Sequence, residues 1–263
     1  MKTIILAIAV LSVASLLLVP VLTVYADTSL PLTGSQWTII ELSDSKIKTT
    51  HADTTSTGVQ FLFPDATATR SGFVNLLTNG FTASLTTTST LTANLTVVTS
   101  MAGTMFVGNP DGQCAGAGAG SNCPGTVRLY FASNLPQAGM SSCLGLNGGS
   151  DHSVVANEFD YWWSNPILPI SAQPGIPGSY YQFSTIGGGS DGVITLKVSL
   201  DPMNWTDLCG HRGTLDLGAF TASISNIKDL GLSFGSGFFF ENGVGVDGTT
   251  GSATFELTSF TIS

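Results

Sequence analysis

Charge is what this 263-residue chain has least of. Asp, Glu, Lys and Arg make up 10% of it, against about a quarter in ordinary soluble domains. Only 8 residues are Lys or Arg, and the formal net charge is −9. So few cations cannot neutralise a phosphate backbone, which excludes nucleic acid as an expected partner. The three histidines, at positions 51, 152 and 211, fall in no metal-pair spacing, and the four cysteines contain no C-x2-C pair. No zinc site, nor any other protein-built metal centre of recognised spacing, is therefore expected. The chain also lacks a G-x-S-x-G elbow, a phosphate-binding P-loop and a dinucleotide fingerprint. Gly187-Gly188-Gly189 precedes no helical pattern and reads as a hairpin loop. Surface polarity must come mainly from Ser, Thr, Asn and Gly.

Long apolar runs are absent as well, except at the start. Lys2 gives a small positive region, Ile4 to Pro20 are almost wholly apolar, and Val24-Tyr25-Ala26 resembles a small-residue cleavage site before Asp27. Residues 1–26 therefore read as a secretion signal. The stretch from Thr3 to Val24 also matches the roughly 20 residues that span a bilayer, so an N-terminal anchor is the rival reading. Pro20 and the Ala26-Asp27 junction favour cleavage. Residues 27–263 are then one domain in a secreted or cell-surface protein.

The cysteines agree with an oxidising compartment. Of the three connectivities open to four cysteines, we expect Cys114–Cys123, closing the AGAGAGSN loop, and Cys143–Cys209. The short loop would gain about 2.7 kcal/mol from chain entropy.

Short alternating runs separated by Gly, Pro, Asn or Asp recur along the chain, and no amphipathic helix stands out. That pattern predicts an all-β antiparallel sandwich, with a jelly roll as the expected topology. Strands are expected at 36–42, 59–63, 72–77, 90–98, 126–132, 157–164, 193–200, 220–224, 231–234 and 253–262. Residues 225–229 read as a helical turn. In the run 126–132, Val127, Leu129 and Phe131 point inward, leaving Arg128 and Tyr130 on the other face. In 193–200 the inward set is Ile194, Leu196, Val198 and Leu200, with Thr195, Lys197 and Ser199 outward. The last strand changes phase between Phe255/Leu257 and Phe260/Ile262, which predicts a bulge near Thr258–Ser259.

The run Asn157–Pro166, NEFDYWWSNP, carries the sharpest functional signal. As a strand it puts Phe159, Tyr161 and Trp163 on one face and Glu158, Asp160 and Trp162 on the other. The second set is a stacking platform beside two carboxylates. A sugar offers an apolar C–H face ringed by hydroxyls, so Trp162 would stack while Glu158 and Asp160 accept hydroxyl hydrogen bonds. Tyr130 and Arg128 extend this surface if their strand is adjacent. Glu158 and Asp160 also invite a glycosidase reading. Such chemistry normally flanks the bond from two sides, so a partner such as Asp201, Asp207, Glu241 or Glu256 would be needed. The plainer reading of the pair is a solvated or Arg128-paired couple of carboxylates.

Two sequons are present, Asn94-Leu95-Thr96 and Asn204-Trp205-Thr206. Acidic Gly-rich turns at 109–112, 147–151, 187–192 and 246–248 offer the oxygen ligands that a structural calcium takes, although none has an EF-hand spacing. Most are explained by turn chemistry alone.

The succession SGFVNLLTNG, FVGNPDG, VRLYF, YWWSNP, VSLDPMNWTDLCG, NIKDLGLSFGSGFFFENGVGV and ATFELTSFTI resembles a family of secreted proteins known mainly as hypothetical. The likeness runs from about Ser71 to the end. It implies a secreted β-sandwich and transfers no catalytic or binding residue. More distantly, the strand pattern is similar to jelly-roll carbohydrate-binding modules and lectin-like sandwiches, a likeness of fold. The expectation is a secreted carbohydrate-binding sandwich whose partner is a polysaccharide or surface glycan. A glycoside-active enzyme and a structural surface or matrix protein are the alternatives.

Overall fold

The computed structural model describes residues 27–43, 46–66, 72–78, 81–101, 104, 106–108, 123–133, 160–165, 168–169, 193–207, 212–215, 217–235 and 243–263. For 42–43, 46–47, 107–108, 123–124, 160–161, 168–169 and 194 it describes the backbone alone. In chain order the strands are β1 (Thr28–Ser29), β2 (Trp37–Ser43), β3 (Lys46–His51), β4 (Asp53–Thr54), β5 (Val59–Leu62) and β6 (Gly72–Thr78). They continue with β7 (Thr90–Thr99), β8 (Phe106–Gly108), β9 (Cys123–Pro124), β10 (Thr126–Ser133), β11 (Asp160–Ser164) and β12 (Leu168–Pro169). The remainder are β13 (Ile194–Ser199), β14 (Trp205–Asp207), β15 (Ile227–Gly235), β16 (Val244–Val246) and β17 (Ala253–Ile262).

These strands form two antiparallel sheets. The smaller has six strands in the order β13-β7-β17-β5-β4, with β1 also on β17. The larger has eleven, in the order β14-β11-β10-β15-β6-β16-β8-β9, with β12 on β10 and with β2 joining β3 to β6. Their facing sides share one apolar core, so the fold is an all-β sandwich. Rings meet across it: Phe61 of β5 lies 4.7 Å from Phe73 of β6, and Phe255 of β17 lies 5.2 Å from Phe234 of β15.

Alternation explains which side chains enter that core. Along β7, Leu91, Ala93, Leu95 and Val97 are buried, while Thr92, Asn94 and Thr96 are half-exposed. In β13, Leu196 and Val198 are buried and Thr195 and Lys197 exposed, as expected. Strand β17 has the expected change of phase: its pairing with β7 slips between Leu257 and Ser259, so Thr258 is the extra residue.

One expected strand is a helix. Residues 217–224, LGAFTASI, form α1 (Leu217–Ile224), and the 225–229 stretch expected as a helical turn instead enters β15 at Ile227. The run Phe220-Thr-Ala-Ser-Ile224 alternates like a strand, but Phe220, Ser223 and Ile224 also satisfy the helical i, i+3, i+4 spacing. All three are buried. Phe220 decides the matter by packing its ring 6.1 Å from Phe131 and 5.0 Å from Trp162.

Candidate functional site

The strand that was expected to carry a sugar platform faces the other way. Trp162 is fully buried, in the core between the sheets, and Trp163 takes the opposite side. The cause is register. Phe131 of β10 is directly opposite Trp162 of β11, and directly opposed residues share a face. Phe131 belongs to the inward set with Val127 and Leu129, so Trp162 goes in with it. Its indole stacks at 6.5 Å and 21° on Phe131 and meets Phe220 edge to face. The expectation of an outward Trp162 is thus corrected, and with it the stacking role.

Tyr130 and Arg128 are on the outer face of β10 as expected, and β10 does pair with β11. They form no open surface either, since Tyr130 is 0% exposed and Arg128 4%. Tyr130 sits opposite Trp163, with ring centroids 6.2 Å apart, in a second small apolar cluster with Leu77, Ala132 and Ile40. Trp163 Nε1 donates to Ser233 Oγ at 3.1 Å, and Arg128 Nη1 reaches the Ser164 carbonyl at 3.5 Å. Asn75 lies opposite Ser233 on the same side, fully buried, with no hydrogen bond to its carboxamide among the described residues. Both faces of this part of the larger sheet are therefore packed.

Of the two carboxylates, Asp160 pairs with Ser133 by backbone, and its side chain lies outside the described residues; so does the whole of Glu158. The acids considered as partners are dispersed. Asp207 is buried opposite Trp162 in the larger sheet. Asp201 is exposed and accepts from Met203 N as the cap of a short turn. Glu256 belongs to the smaller sheet, and Glu241 lies outside the described residues, as do His152, His211, Cys114, Cys143 and Cys209. The backbone of Cys123 is in β9, and its side chain is not described.

The described surface with chemistry to offer is the outer face of the six-stranded sheet. Its rows run across three strands each: Thr195–Asn94–Ser259, Lys197–Thr92–Thr261 and Thr96–Glu256–Gln60. Hydroxyls and amides dominate because alternation sends every second residue of these Thr-rich strands outward. Glu256 is held in place: its Oε1 accepts from Thr55 Oγ1 at 2.7 Å and from Thr57 Oγ1 at 2.5 Å, and Oε2 from Thr96 at 3.5 Å. Thr55 is itself fixed, accepting from the Gly58 amide at 2.8 Å at the turn between β4 and β5. At one end of this face Leu62 and Val98 flank Thr254 and are 61% and 55% exposed. Sequence reading missed this Glu256 site. The outward parity of Glu256 was legible, whereas its threonine partners are 160 to 201 residues away in the chain.

The turn at 246–248 shows ordinary turn chemistry. Asp247 Oδ1 accepts from the amide and hydroxyl of Thr249, and the Gly248 amide donates to Asp65. Among the described residues no three His, Cys, Asp or Glu side chains converge as metal ligands, and no helix is long and apolar enough to cross a membrane. No family model, curated protein or solved structure matches this chain.

Proposed function

We propose that the chain is a secreted or cell-surface β-sandwich that serves as a structural component of a surface or matrix, working through the outer face of its six-stranded sheet. The observation that carries this reading is that face itself. It is a broad array of hydroxyls and amides ending in the exposed pair Leu62 and Val98, whereas the aromatic side chains nominated from sequence are packed away. An exposed apolar spot beside a hydrogen-bonding field suits contact with another extended surface. Export is supported by the apolar first 26 residues and the even number of cysteines, and the structural role by low charge with abundant Thr, Ser and Gly. The disulfides Cys114–Cys123 and Cys143–Cys209 belong to the same proposal.

Two measurements test it. Mass spectrometry of the mature N-terminus should find Asp27, and light scattering of the purified chain should show assembly that Leu62→Ser with Val98→Ser abolishes. A strictly monomeric chain that ignores both substitutions would refute the structural role.

Carbohydrate binding is the second reading, moved from Trp162 to Glu256. The observation in its favour is the half-exposed carboxylate pre-set by three threonines, which can accept sugar hydroxyls without first being ordered. Retention on an insoluble polysaccharide that Glu256→Gln removes would select it over the structural role. The glycoside-active alternative rests on Glu158 and Asp160, and no described geometry favours it.

A further inference from the structure

The two sequons are not equivalent in the folded chain. Asn94 is central in β7, on the outer face of the smaller sheet, between the fully buried Ala93 and Leu95. Its Oδ1 accepts from Thr195 Oγ1 at 2.7 Å, which turns Nδ2 away from that neighbour, and Nδ2 makes no hydrogen bond among the described residues. The side chains opposite it across the strands, Thr195 and Ser259, are short. Thr96, the hydroxyl residue of the sequon, is half-exposed on the same face.

Asn204 is differently placed. Its Nδ2 donates to Ser199 Oγ at 3.0 Å, its backbone amide donates to the Asp201 carbonyl, and its carbonyl accepts from the Asn165 amide at 2.6 Å. The middle residue, Trp205, is fully buried, with its Nε1 donating to the Ser199 carbonyl. Thr206 is 8% exposed, and its hydroxyl is taken by Asn165 Oδ1. A sugar on Asn204 must fit beside a side chain already bonded and a sequon already packed. At Asn94 the reacting nitrogen carries no hydrogen bond among the described residues, and the half-exposed Thr96 hydroxyl gives up only a long contact of 3.5 Å to Glu256 Oε2.

We propose that Asn94 is an N-glycosylation site and that Asn204 is not. The inference rests on the export proposed above, and the glycan stands on the same outer face, as part of what that face presents to a surface or matrix. The co-reactant is an oligosaccharide carried on a lipid phosphate or pyrophosphate, used by the oligosaccharyl-transferring machinery of the secretory route. Asn94 Nδ2 attacks the anomeric carbon. The N–C bond forms as the C–O bond to phosphate breaks, the lipid phosphate leaves with the bonding pair, and the amide proton is lost to base. Oδ1 is untouched, so the bond from Thr195 survives modification.

The test is expression of the full chain, with its own first 26 residues, in a yeast that N-glycosylates exported proteins. Treatment with an amidase that removes N-glycans and converts the linked Asn to Asp should give one mobility shift and label position 94. Asn94→Gln and Thr96→Ala should abolish the shift, while Thr96→Ser and Asn204→Gln should keep it. Export without any shift, or a shift lost only in Asn204→Gln, overturns the glycan and leaves the export reading standing. Retention of the uncleaved chain inside the cell overturns both.

Discussion

Trp162 and Trp163 are consecutive, both are buried to within 1% of complete, and they lie on opposite faces of one sheet. They differ in how their indole nitrogens are treated. Trp163 Nε1 donates to Ser233 Oγ, while Trp162 Nε1 has no acceptor among the described residues. Among the described residues the Trp162 indole is thus held by ring packing, against Phe131 and Phe220, without a hydrogen bond.

A pair of substitutions should separate the two roles. Trp162→Ala removes the ring that closes the core over Phe131 and should cost about 3–5 kcal/mol, as large aromatic truncations do. Trp162→Phe sacrifices volume but no hydrogen bond. Trp163→Phe sacrifices the Ser233 bond as well, worth about 1 kcal/mol more. Urea unfolding of the three variants checks the order. Equal losses in the two Phe variants would mean that the Ser233 bond contributes nothing.

Asn75 supplies a second test. Its carboxamide is fully buried, opposite Ser233 and Ile40, with neither nitrogen nor oxygen bonded among the described residues. An unsatisfied buried amide costs roughly 1–3 kcal/mol, and Leu keeps the same branched skeleton with two methyl groups, somewhat larger, in place of the oxygen and nitrogen. Asn75→Leu should therefore leave stability unchanged or raise the urea midpoint. A clear fall in Asn75→Leu and in the smaller Asn75→Val alike would show that the amide is hydrogen-bonded in solution.

What the sequence revealed of this fold follows from solvation. In β7, β13 and β17 one side of the sheet meets water, so alternation reports direction, and even the bulge at Thr258 was legible from the phase change. In β11 both sides are packed, and Tyr130 with Trp163 is as apolar as Phe131 with Trp162. Alternation then carries no sign, and the direction is set by register with β10, a long-range fact. Helix α1 was missed for a related reason: a five-residue apolar alternation fits either period until a partner is known. The Glu256 site was half legible, since parity turns the carboxylate outward but only folding brings Thr55 and Thr57 to it.

Gly231 tests how closely β15 and β6 approach. A Cβ built on it would come within 1.9 Å of the Leu76 carbonyl oxygen, far inside contact distance. The clash is with backbone, which cannot swing aside like a side chain. Gly231→Ala should force the pair Gly231–Leu77 apart and break ladder bonds in the centre of the larger sheet. Overpacking of this kind costs about 1–3 kcal/mol. Amide hydrogen exchange should speed up on β6 and β15 while β7 and β17 stay protected. Unchanged exchange on β6 would show that the strands can separate without cost.

Glu256 joins the stability of the smaller sheet to its proposed surface. Through Thr55 and Thr57 it ties the turn between β4 and β5 to the central strand β17, and Thr55 in turn fixes the Gly58 amide. Glu256→Ala removes the shared acceptor and leaves partly solvated hydroxyls that can turn to water. The loss should be modest, about 0.5–1.5 kcal/mol. The larger effect should be local: faster exchange of the Gly58 amide, with little change across the strands. Glu256→Gln keeps one oxygen as acceptor and should lie between the two proteins in both measurements. If Glu256→Ala instead melts the whole sheet, the carboxylate is a structural keystone, and the half-exposed acceptor required for sugar binding loses its rationale. A local effect alone leaves that acceptor available to a hydroxylated partner.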